Sequence, residues 1–382
     1  MMSRIRLSMI SSTNFLNKAA VVLIVGLLCL SGCAYPKGTV RGDVQAGAKK
    51  FQIAVLPVEN LSGTLSPLKE IRQSAIDRLR AEGFPALEEE TLEKFMARHR
   101  VRYTGGIDQG TAKAFKEETG AGAVLITSLE LYSDKIPPKI ALMARLVSTG
   151  DKPVILWMDG VGLAGDQSPG LLGLGLIEDP QVLCEKALST LWHSLSEYLS
   201  GEKGEMGIRR AKRKFSPKIV YRSFEISPGK KYTVAVVPFF NRSDRKNAEE
   251  IMALHFVKEL TRIEAFDVVE PGVVRQGLLN LRVIMQEGVS LANADIIFGV
   301  LNVDLILSGE VLDYQDYQGA SGTPKVNFSA LLIERKNRLI VWSSESYNQG
   351  DDGVFFFDCG KVNTAYTMTS QMAQAIGRSM VK

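Results

Sequence analysis

Short apolar runs, each closed by a proline, open two stretches of this chain that read alike. Residues 51–63 are FQIAVLPVENLSG and residues 232–244 are YTVAVVPFFNRSD, so Pro57 answers Pro238 and Asn60 answers Asn241. Ile53–Leu56 and Val234–Val237 have the length and the apolar, β-branched content of buried strands, and a proline with no amide to donate ends each one. Apolar residues four apart follow. Ser66-Pro67 offers an N-cap and a first-turn proline, Gly83 offers a stop, and Ile71, Ala75 and Leu79 form one helical stripe between them. Met252, Phe256 and Leu260 make the matching stripe in the second stretch.

The parallel continues. Strands are expected at Phe84–Leu87 and Phe266–Val269, then helical stretches through Leu92 and Phe95 or Val274 and Leu278. Further strands are expected at Val124–Leu131 and Leu305–Leu312. After them come hairpins, Ile140–Val147 with Val154–Met158 and Val326–Ile333 with Leu339–Ser343, joined by the short polar links 148–153 and 334–338. A last helix starts at Asp179-Pro180 and carries Leu188, Leu191 and Leu195. Its counterpart starts near Asn363 and carries Met368, Met372 and Ile376. Trp157 and Trp342, Gly165 and Gly350, Asp166 and Asp351, and Gly175 and Gly360 are all separated by 185 residues. The same landmarks in the same order predict an α/β fold: two tandem repeats of a mixed-sheet α/β sandwich, each with a terminal helix. The expected boundaries are 49–200 and 231–382, with 201–230 as a basic linker.

The first 32 residues break this pattern. Arg4, Arg6 and Lys18 precede the apolar run Ala19–Leu30, and no acidic residue occurs among them. The run is shorter than the roughly 20 apolar residues a bilayer span needs, so 1–32 reads as a secretory signal peptide. Leu30-Ser31-Gly32-Cys33 resembles the lipobox of bacterial lipoproteins. By that resemblance Cys33 becomes the first mature residue and carries acyl chains, with 33–48 as a lipidated linker. Each buried methylene contributes about 0.8 kcal/mol to anchoring. Ala34 after the cysteine, where inner-membrane lipoproteins often have Asp, implies by family analogy the outer membrane, facing the periplasm.

Each half also resembles the α/β domain of several envelope proteins, with IAVLPVENLSG, VAVVPFFNRSD, AFDVVEP (265–271) and VDLILSGEVLDY (303–314) carrying the likeness. These are the N-terminal domain of the Tol–Pal propeller protein, the curli secretion lipoprotein, and lipoproteins that activate penicillin-binding proteins. The second half fits better than the first. The resemblance implies a scaffold or accessory role toward periplasmic or outer-membrane envelope proteins. It also implies, as a second reading, a subunit of an oligomeric secretion or transport apparatus, hence a homo-oligomer. Alternating ten-residue membrane strands are not evident, which makes a channel the weaker relative.

Composition narrows the chemistry. The chain is 45% hydrophobic and 23% charged with a net charge of +4, which excludes a largely disordered protein. Loss of the leader removes three positive charges, so nucleic-acid binding through global charge is unsupported. The three histidines, His99, His193 and His255, are far apart, and no paired-cysteine, His-x-x-x-His, Gly-x-Ser-x-Gly or phosphate-loop spacing occurs. The reading is therefore non-enzymatic, with no metal and no cofactor. An oxidising periplasm would let Cys184 and Cys359 bridge, but their unlike positions in the two halves favour separate thiols.

Three surface features remain. Asn60 and Asn241 are read as holding the turn after the strand-ending proline. The cluster Arg209, Arg210, Lys212, Arg213 and Lys214 would meet acidic lipid headgroups or cell-wall carboxylates, or simply stay solvated. Two apolar loops, with Leu171, Leu172 and Leu174 in one and Phe355, Phe356 and Phe357 in the other, fall between hairpin and final helix in each half. They are the candidate docking surface for a partner, against the alternative that they fold back over the core.

Overall fold

A computed structural model describes residues 51–167, 175–201, 215–223, 227, 229–280, 289, 291–317, 322–354 and 360–381. The first half runs β1 (Ile53–Val55), β2 (Glu59–Asn60), α1 (Leu68–Ala81), α2 (Glu89–His99) and α3 (Gln109–Ala114), with a π turn at Phe115–Thr119. It continues through β3 (Ala123–Ser133), β4 (Lys139–Ser148), β5 (Ile155–Ala164) and α4 (Pro180–Leu199). The second half runs β6 (Lys218–Arg222), β7 (Tyr232–Val236), β8 (Phe240–Asn241), α5 (Ala248–Thr261), β9 (Phe266–Val268), α6 (Pro271–Asn280) and α7 (Leu291–Leu301). It closes with β10 (Leu305–Gln315), β11 (Lys325–Glu334), β12 (Leu339–Gln349) and α8 (Ala365–Met380).

The two sheets share a plan down to register. β1 lies parallel to β3 with Ile53 beside Ala123, and β7 lies parallel to β10 with Val234 beside Leu305. β2 and β8 pair the same strands two residues after the proline, through Asn60–Leu129 and Asn241–Val311. Both hairpins are antiparallel, and their register shifts fall at matching places: Leu129/Leu131 and Val311/Asp313, then Leu146/Val147 and Leu332/Ile333. A bulge inserts an unpaired residue, so shared bulges mark shared design. The mixed-sheet α/β expectation holds for both halves.

Local differences have local causes. Phe84–Leu87 shrinks to one bridge, Ile53 to Ala86, where β9 has three paired residues. Pro85 interrupts the first version and can only accept, from the Ile53 amide at 2.9 Å, whereas Phe266–Val268 contains no proline. Ser66 does not cap α1. The helix starts at Leu68, and the Ser66 hydroxyl turns to the Thr64 carbonyl at 3.0 Å. Asp179 does cap α4, accepting from the Gln181 amide at 2.7 Å. Part of the stretch read as linker is structured: Lys218–Arg222 pairs antiparallel with β12, and Phe215 is buried.

Each strand of a two-sided sheet alternates its faces. Ile53, Val55, Leu125, Leu142 and Trp157 meet α1 and α4; Ala54, Leu56, Val124 and Ile126 meet Leu92 and Phe95 of α2 and Phe115. The rest of that second face is covered by the other half. Ala141, Met143, Ile155 and Met158 belong to the core that contains α5 and α8. Gly160 and Gly162 make this close: a Cβ on either would fall within 2.4 Å of the Tyr366 ring or hydroxyl. The halves therefore pack helix face to sheet face in one compact body.

Candidate docking end and the interface behind it

Every residue singled out from sequence as a site lies outside the described residues: Cys33, Leu171, Leu172, Leu174, Phe355, Phe356, Phe357 and the cluster Arg209, Arg210, Lys212, Arg213 and Lys214. The stems of the two apolar loops are described, and they match. The Gly165 amide donates to the Pro138 carbonyl and Ile177 closes back on Gly165; Gly350 donates to Pro324 and Val362 closes on Gly350, at 2.8–3.0 Å. In both stems a side chain on the glycine would strike the closing carbonyl, at 2.1 Å from Ile177 and 2.3 Å from Val362. Glycine is required there by close approach.

The two stems also meet. The Asn363 amide, just after the second loop, donates to Asp166 just before the first, at 2.9 Å to Oδ1 and 3.2 Å to the carbonyl. Nearby, the Lys139 ammonium at the foot of β4 donates to the Tyr317 carbonyl. Strand register puts the turn 134–138 at this same end, because Ser133 pairs with Lys139 and Lys139 with Ala164. Thr64 joins through its hydroxyl, which donates to the Tyr132 carbonyl at 3.2 Å. Around the paired stems four apolar side chains stand in solvent: Leu65 at 98% exposure, Ile136 at 60%, Tyr317 at 39% and Leu176 at 38%. Leu65, Ile136 and Tyr317 went unnoticed in the sequence. Their signal is an isolated large apolar residue inside a Ser/Pro/Asp-rich turn, where core packing has no use for it.

The asparagines do what the turn reading expects. Asn60 Oδ1 accepts from the Ser62 amide and hydroxyl while its amide donates to Thr64; Asn241 repeats this with Ser243 and Arg245. Trp157 and Trp342 are both fully buried packing residues. Cys184 is a buried free thiol, pushed up to about 11 by burial and by Glu185 and Glu70. His99 pairs with Glu118, His193 with Glu197 and His255 with Glu130, at three separate places. Among the described residues no group of three His, Cys, Asp or Glu side chains is placed to hold a metal. No described helix is long and apolar enough to cross a membrane.

A charged interface joins the two halves. Arg145 of β4 and Glu270, ahead of α6, form a fully buried pair, with Nε to Oε2 and Nη2 to Oε1 both at 3.1 Å. The Arg145 guanidinium also reaches the Gly105 carbonyl, and Glu270 sits at the start of α6, where the helix dipole favours a carboxylate. Gly106 and Gly272 face each other here, leaving no room for a Cβ on either. Arg245 of the second half donates to the carbonyls of Leu61, Ser62 and Glu130 in the first. Arg262 bridges Asp159 at 2.8 Å and Glu259 at 3.2 Å. Burial works against the Glu259 charge, but Arg262 and Lys258 outweigh it and hold the carboxyl below its ordinary range.

Glu59 is the exception. Burial first and the neighbouring Glu250 second push its carboxyl up to about 7, against a 2.7 Å hydrogen bond from Ser128. Its oxygens fill the space a side chain on Gly105 would take. Tyr103 donates to Glu250 at 2.5 Å, and burial holds that phenol well above its usual range.

No protein-family model and no curated protein matches this sequence. Among solved structures, the PelC dodecamer from Paraburkholderia phytofirmans aligns at 15% identity over 44% of this chain and 99% of its own, with a TM-score of 0.30. Lipoprotein GNA1162 from Neisseria meningitidis aligns at 17% identity over 38% and 98%, with a TM-score of 0.26. The LpoB C-terminal domain from Escherichia coli aligns at 14% identity over 32% and 87%, with a TM-score of 0.23.

Proposed function

We propose that this chain is a lipid-anchored, non-enzymatic accessory protein of the bacterial envelope. It binds a periplasmic or outer-membrane partner at the end where its two apolar loops emerge. One observation carries the reading: the Asn363–Asp166 contact joins the two stems, so the described ends of segments almost 200 residues apart in sequence lie side by side. Leu65, Ile136, Leu176 and Tyr317 extend the apolar character onto the framework around them. A fully exposed side chain such as Leu65 costs about 1.5–3 kcal/mol relative to burial, the partly covered ones proportionally less, and a partner that covers them recovers it. Membrane attachment through Cys33 confines the search for that partner to the membrane surface.

The test is site-specific photocrosslinking in the lipidated full chain, in its native envelope. Probes at Leu65, Ile136 and Leu176 should capture one common protein, and a probe at the exposed Asp77, in the last part of α1 away from that end, should not. Leu172→Asp with Phe356→Asp should weaken that capture at least tenfold while the circular dichroism spectrum stays unchanged. Equal capture from all positions, or turnover of cell-wall or lipid substrates by the purified chain, would reject the reading.

A further inference from the structure

β6 belongs to the second half only. The first sheet ends at β5, and helices guard that flank: Arg262 of α5 reaches Asp159, and the Thr367 hydroxyl of α8 donates to the Gly162 carbonyl at 3.4 Å. The second sheet adds β6 outside β12, and among the described residues no strand pairs with the outer edge of β6. All five of its residues are exposed, including Ile219, Val220 and Tyr221 at its centre. Next to it Leu339 and Ile340 of β12 are exposed as well.

An edge strand displays unpaired amides and carbonyls, and proteins guard such edges with charge, short length and bulges. β6 has all three, and their arrangement selects an occupant. Val220 is the extra residue of a bulge, since Tyr221 pairs with Ser343 and Ile219 with the adjacent Ser344. Lys218 and Arg222 flank the apolar centre. Lys218 is 2.9 Å from Glu345, whereas Arg222 makes no ion pair among the described residues. Self-pairing of two β6 strands, antiparallel about Val220, brings Lys218 and Arg222 together at both ends, and like charges across strands repel. A strand with carboxylates near its ends meets attraction at the same places.

We infer that the outer edge of β6 is a strand-addition site for an extended segment of a partner protein, apolar or β-branched at its centre and acidic at both ends. Backbone pairing supplies the affinity and Lys218 and Arg222 the selection, a mode of recognition independent of the loop end. The experiment is amide hydrogen exchange on the mature full chain with millimolar synthetic Glu-Thr-Val-Thr-Glu peptide, blocked at both termini, against Lys-Thr-Val-Thr-Lys. The acidic peptide should slow exchange across 218–222 at least fivefold and the basic peptide should not. Lys218→Glu with Arg222→Glu, a surface double change, should invert that preference. No protection by the acidic peptide, equal protection by both, or protection that rises with protein concentration alone as the chain dimerises would overturn the inference.

Discussion

Glu59 shows how one side chain reports the contact between the halves. Its folded-state carboxyl sits at about 7, against 4.5 ordinarily, because burial and Glu250 disfavour its charge. Between those values the folded chain binds a proton that the unfolded chain has lost. Stability contributed by Glu59 is therefore full below pH 4.5 and is lost as the pH rises through 7. Glu59→Gln keeps an acceptor for Ser128 and removes the charge. Compared with wild type in urea melts, it should gain roughly 2–3 kcal/mol at pH 8 and nothing at pH 4. Identical pH profiles would show that water reaches the carboxylate. Arg145 and Glu270 make the opposite case, since each compensates the other where neither meets water. Glu270→Gln should cost about 3–5 kcal/mol by stranding the guanidinium, whereas Arg145→Met with Glu270→Leu should recover most of that loss. Equal losses in the single and double variants would show that packing, not charge, is what matters there.

At the scale of elements, what could be read in advance depended on how local the cause was. The four-residue stripe of α1, the proline-ended β1 and β7 and the asparagine turns are each decided within a dozen residues, and they stand as read; α5 has its stripe of Met252, Phe256 and Leu260 but is buried all round, because the first half covers its other side. β6 was hidden because its apolar run, Ile219-Val220-Tyr221, is three residues long and lies beside Pro217 and a basic cluster. Its strand identity comes from β12, more than 100 residues later. The Arg145–Glu270 pair and the facing Gly106 and Gly272 were illegible for the same reason, as their partners lie 125 or more residues apart. β5 could be recognised as a strand, but its pair of glycines only acquires meaning once α8 is laid across it. Gly162→Val would drive a branched side chain into the Tyr366 ring, so a loss of about 1–3 kcal/mol in thermal or denaturant melts is expected. The same change at Gly150, where nothing stands within 4 Å but φ is +113°, tests backbone strain without any clash.

For the whole molecule, the way the halves stack decides whether stacking can continue. The helix face of the second half covers a sheet face of the first, a head-to-tail contact of the kind that builds rings or filaments when it repeats. Repetition would need the corresponding face of the second sheet to be equally receptive. Register equates Ala141 with Asn327, Met143 with Ser329, Met158 with Ser343 and Gly160 with Glu345, so small and apolar positions have become polar ones. The buried Arg145 corresponds to Leu331, and buried Glu270 to the exposed Glu88, so the charged clasp is missing as well. Tyr347 stands where Gly162 accepts the Tyr366 ring, and half of it is in solvent. A terminal unit with a polar outer face closes a stack in this way. On the proposed reading of Cys33 as the lipid site, the chain from residue 33 with Cys33→Ser carries no acyl group and should accordingly run as a monomer in light scattering at tens of micromolar. Changing Asn327, Ser329, Ser343 and Glu345 to Ala, Met, Met and Gly should move it toward larger species. A wild-type chain that already forms rings would mean that assembly uses a different surface, and the loop end and the β6 edge would then be the first places to look for it.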